Sequence, residues 1–149
     1  MSHFSHALRV VSMASVLVLG ACSMAPMASM STAMTAQLSG ASEVPAVMTT
    51  ASGRAEASLT PATNVLTWRI TYSGLSGPVT GAHFHGPAMT GQNASVVVPI
   101  SAPSTSPITG SATLTPSQAA DLTAGKWYVN LHTAANPNGE VRGQVYVGP

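Results

Sequence analysis

From residue 36 onward the chain keeps one rhythm: short runs whose apolar and polar residues alternate, each cut off by glycine or proline. "NVLTWRITY" (64–72) is the clearest, with Val65, Thr67, Arg69 and Thr71 alternating with Leu66, Trp68, Ile70 and Tyr72. A period of two puts the second set on one face of a strand and the first on the other. Read this way, the sequence predicts strands over 36–40, 53–59, 64–72, 79–85, 94–100, 108–114, 126–132 and 140–147. Eight short strands with Gly and Pro turns point to an all-β fold, an antiparallel β-sandwich of Greek-key-like form. One stretch departs from the rhythm. In "TPSQAADLTAG" (115–125), Thr115 suits a cap, Pro116 a first helical position and Gly125 the end, which predicts one very short helix.

The N-terminus follows different rules. Residues 1–21 pair a single early charge, Arg9, with the apolar run "VVSMASVLVLG" (10–20), which is too short for a mature membrane span and reads as a signal peptide. It ends in "LGAC", and Cys22 is the only cysteine of the chain. Small residues before a cysteine resemble the lipobox of bacterial lipoproteins, which implies that Cys22 is acylated and becomes the mature N-terminus. The alternative is an ordinary secretory signal cut nearby, with Cys22 an incidental thiol. Ser23, rather than an aspartate, follows the cysteine, as in lipoproteins sorted to an outer membrane. The expected location is therefore the cell envelope, lipid-anchored and facing the periplasm. Residues 22–35 would comprise the lipidated cysteine and a flexible Met/Ala/Ser tether, and residues 36–149 one domain.

Charge excludes several functions. Beyond Cys22, Arg54, Arg69, Lys126 and Arg142 balance Glu43, Glu56, Asp121 and Glu140, so electrostatic capture of nucleic acid has no support. The acids are single and scattered, which argues against a paired-carboxylate hydrolase. The chain shows no serine-centred elbow and no phosphate-cradling glycine loop.

The chemistry-bearing residues that remain are histidines. "GAHFHGPA" (81–88) holds His83 and His85, and "WYVNLH" ends in His132. His83 and His85, two apart, leave one face of their strand, while Ala82 and Phe84 take the other. Trp127, Val129 and Leu131 form one face of the late strand; Tyr128, Asn130 and His132 share its polar face. In "EVRGQVYV" (140–147), Val141, Val145 and Val147 turn inward, with Glu140, Arg142, Gln144 and Tyr146 outward. All three histidines thus fall on outward, polar faces. Should the strands be close, three neutral imidazoles make a ligand set for copper or zinc, copper first by the usual affinity order. The alternative is a set of loop-end histidines making turn hydrogen bonds. Asn130 reads as a strand hydrogen-bonding residue, "NPNG" (136–139) as a turn, and Glu43 as a brace for the N-terminal segment. An ion pair with Glu140 is the plain expectation for Arg142. Met24, Met27, Met30 and Met34 recur at short spacing, and thioethers favour Cu(I), so they form a possible accessory set with Met89. Unselected drift in a linker accounts equally for the tether methionines.

Laid out in this order, "AQLSGASEVPAV" (36–47), "GRAEASL" (53–59), "LTWRITYSGLSGPVTGAHFHGPA" (66–88) and "GSATLTPSQAADLTAGKWYVNLHTAANPNGEVRGQV" (110–145) resemble the CHRD domain. That resemblance implies a β-sandwich and little chemistry. A more distant likeness, to copper-zinc superoxide dismutases, rests on Gly81-Ala82-His83-Phe84-His85, on His132 ending an apolar strand, and on Arg142 in "GEVRGQV". It implies that the three histidines converge on copper and that Arg142 draws in an anion. The chain lacks a zinc-binding loop, a bridging histidine and a cysteine pair, so no zinc site of that type is expected. The functional expectation is an envelope-anchored copper-binding lipoprotein for sequestration, delivery or redox chemistry, with a copper donor or acceptor protein as partner. A metal-free module binding protein or glycan is the rival, and a superoxide-disproportionating enzyme a subordinate version.

Overall fold

The computed structural model describes residue 1, residues 30–101 and residues 105–148. Strands run over Thr32–Ser39 (β1), Ser52–Thr60 (β2), Val65–Ser73 (β3), Val79–His85 (β4), Val96–Pro99 (β5), Ile108–Thr113 (β6), Trp127–Thr133 (β7) and Val141–Val147 (β8), with one helix, Pro116–Thr123 (α1). They pair antiparallel throughout, in the order β5-β4-β7-β8-β1-β2-β3-β6. Three neighbour pairs, β4–β7, β8–β1 and β3–β6, join strands remote in sequence, which gives the Greek-key-like connectivity.

The sheet wraps back on itself. Trp68 of β3 and Phe84 of β4 stand far apart in the strand order, yet their rings meet edge to face at 5.3 Å. Phe84 also lies 6.3 Å from the ring of Trp127 on β7. The inward set of every long strand (Leu38, Leu66, Ile70, Phe84, Val129, Leu131, Val141 and Val145 among it) fills one core. Burying a side chain of this size stabilises by about 1.5–3 kcal/mol. The fold class is thus the expected antiparallel sandwich, curled nearly into a barrel with β5 and β6 at its edges. Helix α1 starts where predicted: Thr115 Oγ1 accepts from the Gln118 N–H at 3.2 Å, and the Gln118 carboxamide accepts from the Thr115 N–H at 2.9 Å. Gly125 just beyond its end has φ +72°, a conformation glycine adopts at little cost.

The start of the first strand and the end of the last differ from expectation, and β5 is shorter than predicted. Strand β1 begins at Thr32, inside the expected tether, and Met34 is core, 1% exposed, rather than an accessory metal ligand. Residues of modest strand propensity are held there because β1 is paired on both sides, Thr32 with Leu59 and Met34 with Val147. Val147, expected inward, is 52% exposed because it sits at the end of the sheet. Met30 is exposed just ahead of β1. The expected signal peptide after residue 1, Cys22, Met24 and Met27 lie outside the described residues.

One row of paired residues positions everything that follows. Across β4, β7, β8 and β1, His83 pairs with Asn130, Asn130 with Arg142, and Arg142 with Ser39. Ser39 is the last residue of β1, so this row crosses the sheet at the end opposite Thr32.

Candidate metal centre

Three histidines meet on this row. One ring nitrogen each from His83, His85 and His132 lies within 4.8 Å of the others, so together they could hold a metal ion. The pairing of β4 with β7 brings them together: Gly81 sits opposite His132 and His85 opposite Tyr128. His83 Nδ1 is 3.1 Å from His132 Nε2.

Backbone carbonyls decide which nitrogens are free. His85 Nδ1 is 2.9 Å from the Ala94 carbonyl oxygen, and His132 Nδ1 is 3.0 Å from that of Pro137. A carbonyl only accepts, so both rings carry their proton on Nδ1 and donate it there. In the neutral rings Nε2 is then a lone pair. A metal-ligating histidine ordinarily anchors its other nitrogen in just this manner. Burial, first of all, holds the His85 imidazole below its usual pKa, and burial followed by the charges of His132 and His85 does the same for His83. Both rings are therefore neutral and available as ligands at neutral pH.

The face carrying this cluster is outward in the sheet but not open. His85, Asn130, Thr133, Glu140 and Arg142 are all buried. Loops lie over it, pinned by the two histidine contacts and by Asn93 Nδ2, which donates to the Val44 carbonyl at 3.0 Å. A strand's alternation names its faces, not what crosses them, and here loops cross the outward one. A cavity of about 380 Å³ bounded by Glu43, Val44, Pro45, His85, Asn130 and Asn138 reaches the cluster from outside.

Tyr128 and Arg142 support the centre from the side. The Tyr128 ring stacks on His85 with centroids 4.7 Å apart and planes 4° from parallel. Arg142, from the strand on the other side of Tyr128, sets its guanidinium carbon 3.3 Å from the same ring's centroid. Arg142 is 2% exposed and donates to Asn93 Oδ1 at 2.9 Å and to the Gln92 carbonyl. Arg142, expected as a possible anion-steering residue, spends these donors on the loop after β4 and lies against the Tyr128 ring. Its donors hold the 89–95 loop, and Tyr128 stands between it and the histidines.

The Glu140–Arg142 ion pair does not form either. Glu140 is fully buried and accepts instead from Thr49 Oγ1 (3.0 Å), the Ser76 N–H (2.9 Å), Ser76 Oγ and Thr133 Oγ1 (2.7 Å). Burial alone would raise its pKa, but these hydrogen bonds outweigh burial and bring it down to about 2. Glu43 shows the opposite balance. Burial pushes it up to about 7 against the milder pull of Arg142 and the Asn130 amide. No hydrogen bond of ordinary geometry reaches Glu43 Oε1, so the amide acts on it as a nearby dipole.

Sequence reasoning passed over three of these residues. Asn130 was expected only as a strand residue, yet its Oδ1 stands 3.1 Å from His85 Nε2 and 3.0 Å from His132 Nε2. Tyr128 shares the polar face of β7 with His132, and that alternation was the one available signal for it. Glu43 comes from the far end of the sequence. Met89 is exposed on the loop after β4, its N–H bonded to the Gln92 carboxamide at 3.3 Å.

Residues 34–145 match the family of the CHRD domain. Comparison with curated proteins and with solved structures finds no match.

Proposed function

The chain belongs to the CHRD domain family, and from that premise we propose that its β domain binds one metal ion, copper ahead of zinc, through His83, His85 and His132. The observation that carries this is the pair of carbonyl anchors. Ala94 and Pro137 each fix an imidazole with Nε2 unprotonated and turned toward the same space, where His83 Nδ1 also points. Loop-end histidines engaged in turn hydrogen bonds would have no reason to converge. Three imidazoles suit copper and zinc, and the affinity order places Cu(II) above Zn(II).

The role we assign is sequestration or delivery of copper in the cell envelope, with exchange to a donor or acceptor protein. The "LGAC" sequence supports a lipid anchor at Cys22. With β1 starting at Thr32, the tether shortens to residues 23–31, which reach at most about 30 Å from the membrane. Since the histidine row lies at the far end of β1, such an anchor leaves the metal centre turned away from the lipid. Met30, exposed just ahead of Thr32, stands at the end of β1 away from that row.

Isothermal titration with Cu(I), Cu(II) and Zn(II), on the wild-type domain and on His83→Ala/His85→Ala, tests the centre. Heat in the wild type and none in the variant is expected. Equal heats would overturn the proposal and leave a metal-free interaction module. Superoxide consumption by the copper-loaded protein, at a rate above that of free copper, would be needed for the enzymatic version. Loss of fatty-acid labelling in Cys22→Ser is the expected result for the anchor.

A further inference from the structure

Three lone-pair acceptors face one space, Asn130 Oδ1 and the Nε2 atoms of His85 and His132, with His83 Nδ1 beside them. Asn130 Oδ1 is 3.1 Å from His85 Nε2 and 3.0 Å from His132 Nε2, and His132 Nε2 is in turn 3.1 Å from His83 Nδ1. Both Nε2 atoms are acceptors, because Ala94 O and Pro137 O have taken the ring protons at Nδ1. An amide oxygen held at hydrogen-bond distance from two acceptor nitrogens has no proton between it and either one. A cation between them removes the repulsion. Three of the spacings are near the value a tetrahedral ion sets, since ligands about 2.0–2.1 Å from it lie about 3.3 Å from one another, and the three imidazole nitrogens lie within 4.8 Å of each other.

The amide could relieve the conflict by turning over and donating from Nδ2. The surroundings of its other end oppose that. Nδ2 faces the Glu43 carboxyl: a Cβ built on Gly139 would fall 2.8 Å from Asn130 Nδ2 and 2.3 Å from Glu43 Oε1, so the two groups are packed against the same glycine. The carboxyl group offers an acceptor oxygen to the N–H end in either protonation state, which leaves the amide oxygen for the histidines. Asn130 is buried on the central strand β7, between β4 and β8, and has no room to withdraw.

We infer that Asn130 is the fourth ligand of the centre, coordinating through Oδ1, and that Glu43 and Gly139 orient it. This rests on the three-histidine reading above. It adds a consequence that three imidazoles alone do not have. A carbonyl oxygen is a hard donor, so an N₃O set strengthens the hold on Cu(II) and Zn(II) and contributes little to Cu(I). The site selects divalent ions over Cu(I).

The test compares wild-type protein with Asn130→Ala and Asn130→Asp, each titrated with Cu(II), Zn(II) and Cu(I), and each Cu(II) form examined by electron paramagnetic resonance. Asn130→Ala is expected to lose about 10- to 100-fold in Cu(II) and Zn(II) affinity, to change less than about threefold toward Cu(I), and to show an altered Cu(II) spectrum. Asn130→Asp, which keeps an oxygen at the position, is expected to retain divalent binding and to report even if the alanine variant fails to fold. Unchanged divalent affinity and an unchanged Cu(II) spectrum in a folded Asn130→Ala would overturn the fourth ligand while the histidine centre stands. A wild type that binds none of the three ions would overturn both.

Discussion

Tyr128 lies flat against His85, its ring 4.7 Å away and 4° from parallel, and it carries the Arg142 guanidinium on the strand beyond. A histidine that ligates a metal must be held in orientation as well as in place, and here stacking sets the tilt while the Ala94 carbonyl sets the rotation. Replacing the ring should therefore loosen the centre without touching a ligand.

Tyr128→Leu removes the stack on His85 and the surface under Arg142. Aromatic stacking contributes about 0.5–1.5 kcal/mol and a desolvated cation over a ring up to about 2 kcal/mol. A loss of about 2–3 kcal/mol is expected in urea unfolding, with weaker Cu(II) binding. Tyr128→Phe should cost under about 1 kcal/mol, since the hydroxyl makes only long contacts to Ala94 at 3.3 and 3.4 Å. Equal losses in the two variants would remove the stacking argument.

Gly139, like Pro137 before it in "NPNG", has a role beyond the turn. Its φ is +123°, and a Cβ there would collide with Glu43 Oε1 and Asn130 Nδ2. Gly139→Ala is expected to destabilise by about 2 kcal/mol or more, and to lower Cu(II) affinity by displacing Asn130. Unfolding and titration of the same sample separate the two effects.

The two buried glutamates give opposite pH slopes. Glu140 has its pKa depressed from 4.5 to about 2, so its stabilisation is complete above about pH 4.5 and is lost as pH falls through about 2. In Glu140→Gln that acid loss should vanish, at a cost of about 2 kcal/mol near neutrality, because the carboxamide keeps one acceptor oxygen and loses the other, which takes hydrogen bonds from Ser76 Oγ and Thr133 Oγ1 or from Thr49 and the Ser76 N–H. Glu43 has its pKa raised from 4.5 to about 7. Its protonated form suits the fold, so that stabilisation is complete below about pH 4.5 and declines as pH rises through about 7. Glu43→Gln should flatten the decline. Urea midpoints of metal-free protein between pH 3 and 9 read both slopes.

Metal affinity should respond to acid later than free imidazole does. His83 and His85 are both held below their ordinary 6.5, by burial before any other cause. Protons then compete for these two ligand nitrogens only at more acid pH, and Cu(II) affinity is expected to fall less between about pH 8 and 6.5 than it would at a site of free imidazoles. A titration series across that range checks it. A steep fall already between pH 8 and 7 would contradict neutral, preformed ligands.

Alternation and turn residues were enough to determine the strands, the helix cap and the inward set, because each depends on a period of two or on conformational preferences within a few residues. Leu66, Trp68 and Ile70 are buried as "NVLTWRITY" requires, and Thr115 caps α1 as its position requires. The same local rules put His83 and His85 on one face and His132 on another strand's polar face. Their meeting was beyond such rules, since it follows from β4 pairing with β7 across a gap that contains β5, β6 and α1. Tertiary structure also decided what lies over that face: the loops that bury Arg142, the carbonyls that fix two imidazoles, and the Glu43 carboxyl that turns Asn130. Those are contacts between groups far apart along the chain. No periodicity encodes them, because which backbone carbonyl reaches which ring depends on where the loops come to rest.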